Sequence, residues 1–219
     1  VDILVNNAGL SASQTVFEST WEIVRRLFEV NFFGNIGLAK ALLPHFRQRK
    51  AGHIVVPSSV LAIVSTPTSS AYCASKQAIW GYYDSLRVEE DRHGMKVTIL
   101  FPGGVKTNIF SSPLGAKKWL QVDKFPLKAF MMDVTTFVDW TLIAIANQNS
   151  TACIARNWII FQFCYHFPNL TRWSLPSVTG SQMVESRGLA ACGILEKEMQ
   201  MSPSTRHMFR LTLEENKDD

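Results

Sequence analysis

The sequence predicts an α/β fold built on a doubly wound parallel sheet. Two observations carry that prediction. Short β-branched runs over 3–5, 53–56 and 96–101 alternate with long segments of helical period. Each run is also nearly continuous in apolar residues, as expected of strands covered by helices on both faces.

Ile3-Leu4-Val5 closes on Asn6-Asn7-Ala8-Gly9, a strand running into a tight turn. Thr20 can cap the helix that follows, in which Trp21, Val24, Leu27 and Phe28 recur at helical spacing. Its apolar character persists to about Phe46, and Gly52 stops it. His53-Ile54-Val55-Val56 is the second strand, and Pro57 marks its carboxyl end because proline has no N–H for a ladder bond. A helix is expected over 70–91, ended by Gly94, and the third strand is terminated by Pro102-Gly103-Gly104. Beyond Thr107 the pattern is helical over 134–146, aromatic-rich over 157–175, and polar and loose from about Ser202.

A chain of 219 residues, 47% hydrophobic, can bury one substantial core. We expect a catalytic domain over 1–180 and a partly loose extension over 181–219. The net charge of +4 is spread without a basic run, which excludes a nucleic-acid partner from the expectations. Cys73, Cys153, Cys164 and Cys192 show no metal-ligand spacing and are read as free thiols, so no metal is expected. Apolar stretches reach about ten residues, short of the ~20 that a membrane span needs. The chain opens inside an apolar run without an initiator Met, so it is expected to be truncated at its N-terminus.

The residues that carry chemistry cluster around Tyr72-Cys73-Ala74-Ser75-Lys76. Tyr72 and Lys76 are four apart and share one helix face. An ammonium there favours the phenolate and lowers the phenol's pKa, which makes the tyrosine usable as an acid and base. Ser59, with Ser58 beside it, stands at the end of a strand thirteen residues before Tyr72. Ligand sites of open parallel sheets lie at the carboxyl ends of strands, where Asn6, Ser59 and Pro102 all fall.

In order and spacing these pieces resemble the classical short-chain dehydrogenases/reductases. Asn6-Asn7-Ala8-Gly9 matches the family's N-N-A-G segment, and Asn31 matches the helix asparagine of its catalytic tetrad. Ser59, Tyr72 and Lys76 match the other three members, and Pro102-Gly103-Gly104-Val105-Lys106-Thr107 matches the P-G-x-V-x-T cofactor segment.

The resemblance implies a Rossmann-like fold and hydride transfer between NAD or NADP and a secondary alcohol or ketone, with Tyr72 as acid and base. Lys76 would lower the Tyr72 pKa and hold the nicotinamide ribose, and Ser59 would hydrogen-bond the substrate oxygen. Asn31 would hold a water linking Lys76 to solvent. Asn6, Ala8 and Gly9 would line the adenosine-ribose side, Pro102 and Gly103 would bind the cofactor as part of its segment, and Val105 and Thr107 would fix the nicotinamide amide. A small-molecule carbonyl or alcohol substrate and a homodimer are implied as partners.

Three departures stand out. Ala62 replaces a common glycine, and Pro57 precedes the serines. None of the 12 glycines forms the Gly-rich phosphate fingerprint, so the sheet is expected to be incomplete, without the family's first strands.

The aromatic run over 157–175 resembles the branch close to member 7 of the dehydrogenase/reductase family and to 11-beta-hydroxysteroid dehydrogenases. That implies a lipophilic, steroid- or retinoid-like substrate and association with the endoplasmic reticulum membrane, the alternative being the cytoplasm. The competing functional reading is a non-catalytic chain acting as a binding or membrane-surface protein.

Overall fold

The expected alternation is the observed architecture. The computed structural model describes residues 1–110, 113–115, 131–156 and 158–167. The chain divides into Val1–Thr171 and Arg172–Asp219, and every described residue lies in the first unit. The expected extension over 181–219 and the loose tail lie outside the described residues, as do Cys192 and the side chain of Cys164.

The strands β1 (Ile3–Val5), β2 (Gly52–Pro57), β3 (Met95–Pro102) and β4 (Thr151–Ile154) form one parallel sheet in the order β1-β2-β3-β4. The register sets Leu4 beside Ile54, Ile54 beside Val97 and Ile99 beside Thr151. β4 was not read from the sequence: its four residues, Thr-Ala-Cys-Ile, are too few to signal a strand, although Thr151 and Ile154 are β-branched.

The expected single helix from Trp21 is three pieces. Thr20 accepts the Ile23 N–H at 3.4 Å and starts α1 (Trp21–Phe28), a cap worth about 1 kcal/mol. A π-helical turn, Glu29–Phe33, follows, closed by the Gly34 N–H on the Glu29 carbonyl. α2 (Gly34–Arg49) then runs on. The π turn widens the helix for five residues, too short a stretch to shift the hydrophobic period, and Asn31 sits fully buried at its centre.

α3 (Ser70–Glu90) leads through a 3-10 turn to Gly94, whose φ of 73° places its Cα against the Lys50 carbonyl. α4 (Val134–Ala146) follows the expected bounds, and α5 (Trp158–His166) lies within the aromatic run.

Alternation along the strands decides which helix covers which face. Leu4, Ile54, Val56, Val97, Ile99 and Phe101 pack with Ala39 and Phe46 of α2 and Ile79, Tyr83 and Leu86 of α3. Val55, Leu100 and Ile154 point the other way and pack with Ala144, Phe137 and Ile145 of α4. All three crossovers step in the same direction across the sheet, yet α4 lies on the opposite face. The last crossover therefore has the opposite hand to the two before it, against a strong general preference for one hand.

Candidate active site

The site is assembled at the carboxyl ends of β1 and β2 by the first two turns of α3. Three hydrogen bonds hold those turns down. Ser58 donates its hydroxyl to the Lys76 carbonyl at 2.8 Å, Lys76 Nζ donates to the Pro57 carbonyl at 2.9 Å, and Gln77 Nε2 donates to the Ala62 carbonyl at 3.2 Å. Ser58 is thus buried and committed to the backbone, and Ser59 is left as the strand-end hydroxyl that meets Tyr72.

Pro57 ends the pairing for the reason expected of it, and the structure shows which ladder bond is left out. In this parallel ladder the His53 N–H bonds to Asp2 and the Val55 carbonyl accepts from Asn6, so the next rung would run from residue 57 to the Asn6 carbonyl. Pro57 has no N–H to give, and that carbonyl accepts from Asn35 Nδ2 at 3.3 Å instead. Pairing with β1 stops there, and the chain turns away into Ser58 and Ser59.

Ser59, Tyr72 and Lys76 come together. Ser59 hydrogen-bonds Tyr72, its hydroxyl also accepts the Leu61 N–H at 3.1 Å, and Lys76 Nζ lies 5.9 Å from the Tyr72 ring centre. Burial pushes the Tyr72 phenol above its usual value, and the bond to Ser59 pulls it partly back. Burial also lowers Lys76 to about 8. The expected lowering of the phenol by Lys76 is not what the structure gives, because desolvation outweighs an ammonium directed at the Pro57 carbonyl.

Asn31 joins the cluster from the π turn. Its Oδ1 accepts the Leu10 N–H at 2.7 Å, and its Nδ2 donates to the Leu10 carbonyl at 3.0 Å and to Ser75 Oγ at 2.9 Å. Both amide hydrogens are spent, so the side chain clamps the loop after β1 and has no N–H to offer a water.

Gly9 lies in that loop: a Cβ there would sit 3.5 Å from Asn31 Oδ1 and 3.6 Å from Lys76 Nζ. Ala8 is exposed. Asn6 was expected to line a ribose, but it is buried, and its Nδ2 donates to the Asn35 carbonyl and to Tyr83 Oη, each at 3.0 Å. The Asn6 amide therefore fixes the end of β1 to α2 and α3. Asn35, Tyr83 and Ser75 belong to this polar network and were missed, since isolated polar residues inside a helix give no sequence signal of burial.

The 102–107 segment leaves the carboxyl end of β3, next to the strand that bears Ser59. The Gly103 N–H bonds to the Ile154 carbonyl at 2.9 Å, and a Cβ on Gly103 would come within 2.7 Å of Ala155 Cβ, so only glycine fits this approach. Val105 is buried and bridges to Met132, while Thr107 is exposed, its Oγ1 accepting the Ile109 N–H at 3.5 Å. A strap over 11–14 joins three parts of the rim. It bonds to Leu114 on one side, Gln14 pairs with Thr68 and Ser69 on the other, and Ser11 Oγ donates to the Ile109 carbonyl at 2.6 Å. Among the described residues no group of His, Cys, Asp or Glu could hold a metal, and Cys73 and Cys153 are free.

Fold and site together define an α/β protein with a serine, tyrosine and lysine cluster at the carboxyl ends of a parallel sheet. A family model described as short chain dehydrogenase matches residues 1–116, and the chain belongs to that family. It is 30% identical over 188 residues to human dehydrogenase/reductase SDR family member 7, covering 85% of this chain and 56% of the relative. Member 7B from Mus musculus is 44% identical over 109 residues, covering 50% of this chain and 34% of the relative. The chain thus spans about half or less of the length of these relatives.

Among solved structures, a short-chain dehydrogenase from Streptomyces avermitilis superposes with a TM-score of 0.63 at 28% identity, covering 83% of this chain and 72% of that one. A short chain dehydrogenase from Burkholderia cenocepacia, solved in complex with NADP, gives 0.64 at 25% identity, covering 83% and 69%.

Proposed function

We propose that the site interconverts a secondary alcohol and a ketone, with Tyr72 as general acid and base and NAD or NADP as cofactor. The observation that carries this reading is the Ser59, Tyr72 and Lys76 cluster, with Gly9 opening space beside the ammonium. When bound, the nicotinamide supplies or takes the hydride.

The residues fit the ribose end of such a cofactor. An ammonium has three N–H groups and Lys76 spends one on Pro57, which leaves two for ribose hydroxyls. Gly9 on one side and the 102–107 segment on the other would hold the group. In the reducing direction Tyr72 gives its proton to the carbonyl oxygen, on which Ser59 also donates. Lys76 stabilises the phenolate left behind. A phenol raised by burial stays protonated at neutral pH, so the acid is loaded for reduction; activity falls as pH rises through about 8, where Lys76 loses its charge.

The half-buried Leu61, Ile63 and Val64 beside Ser59 support a lipophilic substrate. No described helix is long and apolar enough to cross a membrane. The exposed Trp158, Ile159, Phe163 and Tyr165 of α5 support attachment at a membrane surface, with the endoplasmic reticulum as the proposed location.

The test is turnover of lipophilic ketones with NADH and with NADPH by the chain and its Tyr72→Phe variant. The expected result is reduction that drops at least about 100-fold in the variant. An equally active variant, or no turnover of any ketone or alcohol, overturns the reading and leaves the non-catalytic binding role.

A further inference from the structure

We propose that Ser75 is a positioning residue, which couples the loop after β1 to the turn that presents Tyr72 and Lys76. Its geometry stands alone; its consequence for catalysis rests on the dehydrogenase reading above. Ser75 is fully buried, one residue before Lys76 and three after Tyr72. Its hydroxyl proton goes to the Tyr72 carbonyl at 2.8 Å, and its oxygen accepts Asn31 Nδ2 at 2.9 Å.

The directions of these bonds are forced. The Leu10 N–H must meet an oxygen, which fixes the Asn31 amide with Oδ1 toward Leu10 and Nδ2 toward Ser75. Ser75 has one proton, and it is spent on Tyr72. A single directed chain therefore runs from the Leu10 N–H through Asn31 and Ser75 to the Tyr72 carbonyl, away from solvent, where successive bonds reinforce one another.

The two ends of that chain matter to the site. At one end a Cβ added at Gly9 would meet both Asn31 Oδ1 and Lys76 Nζ, so the loop that borders the ribose position is the loop that Asn31 clamps. At the other end the Tyr72 carbonyl belongs to the first turn of α3, whose placement sets the phenol against Ser59. Removing the Ser75 hydroxyl leaves one Asn31 N–H buried without an acceptor and frees the turn to shift. A structural hydroxyl of the ordinary kind would change stability alone; a positioning hydroxyl changes the environment of the Tyr72 phenol.

The experiment uses the full chain with 13Cζ-labelled tyrosine, the Tyr72 signal being assigned from Tyr72→Phe. Its titration and the exchange rate of the Leu10 amide are measured in wild type, Ser75→Ala and Ser75→Cys. The cysteine variant fills the same space with a weak hydrogen-bonding group, so it separates the bonds from the volume and serves if the alanine variant does not fold. We expect both variants to move the Tyr72 titration down toward the usual value near 10 and to speed Leu10 exchange about tenfold. A Tyr72 titration unchanged from wild type overturns the proposal. The result is independent of turnover: a shifted titration supports the coupling even where Tyr72→Phe shows no catalytic loss, and an unshifted one sinks it even where Tyr72 proves essential.

Discussion

The two faces of the sheet are packed to different depths. Under α2 and α3 the strands contribute Leu4, Ile54, Val56, Val97, Ile99 and Phe101 to a continuous core that contains the rings of Phe46 and Tyr83. Under α4 the buried cluster is Val55, Leu100, Ala144 and Ile154, and along β1 the side chains of Ile3 and Val5 remain 47% and 50% exposed. The polar cluster of the candidate site hangs from the deep face: Asn31 from the π turn between α1 and α2, Tyr72, Ser75 and Lys76 from α3, and Ser59 from the end of β2. Polar groups can be held in one arrangement there because the surrounding core leaves the helices no alternative positions. A buried ammonium is tolerated for the same reason.

The largest effect should come from removing the ring at the centre of the deep face. Phe46→Ala is expected to lower unfolding free energy by about 3–5 kcal/mol in urea titrations, whereas Val5→Ala on the shallow face should cost under about 1 kcal/mol. Equal losses would erase the distinction between the faces.

The burial of Lys76 gives a sharper test. Below about pH 8 the side chain is charged in folded and unfolded chains alike, and the full cost of burying it is felt. Between about 8 and its usual 10.5 the unfolded chain binds the proton and the folded chain does not, so stability rises with pH. Lys76→Met should therefore stabilise the fold by roughly 2 kcal/mol at neutral pH, a gain that fades toward pH 10.5. A constant gain across that range would mean that the ammonium is solvated in the folded state.

A smaller effect is expected where Arg47 clamps Glu90 and ties the end of α2 to that of α3. Arg47 Nε donates to Glu90 Oε2 at 2.8 Å, and Arg47 holds the Glu90 carboxyl below its usual 4.5. The stabilisation is present above about 4.5 and is lost as pH falls through the lower folded value. Glu90→Gln should cost about 1–2 kcal/mol at pH 7 and should flatten the acid limb of the stability curve.

Much of this arrangement was legible in the sequence, for identifiable reasons. Apolar runs of strand length placed β1, β2 and β3, and the four-residue spacing of Tyr72 and Lys76 placed both on one helix face. Capping by Thr20 and the stop at Gly94 are local chemistry and were read directly. What escaped depends on contacts distant in the chain. The π turn changes the helical period over too few residues to register, and β4 draws its identity from pairing with β3. Ser75, Asn35 and Tyr83 look like ordinary helix residues until the fold brings them to Asn31 and Asn6. The phenol's direction of shift was misjudged for the same reason: sequence spacing shows the neighbouring ammonium but not the burial that outweighs it.

The measurement that tests this account most directly is native-state hydrogen exchange along the chain, read amide by amide. If the site is built on the deep face, the Cys73 N–H, which bonds to the Ser69 carbonyl in the first turn of α3, should exchange at the slow rate of the β2 and β3 core. Amides of α4 should exchange faster, through local opening. A Cys73 amide that exchanges as fast as those of α4 would contradict the account, because the turn presenting Tyr72 and Lys76 would then be held no better than the shallow face.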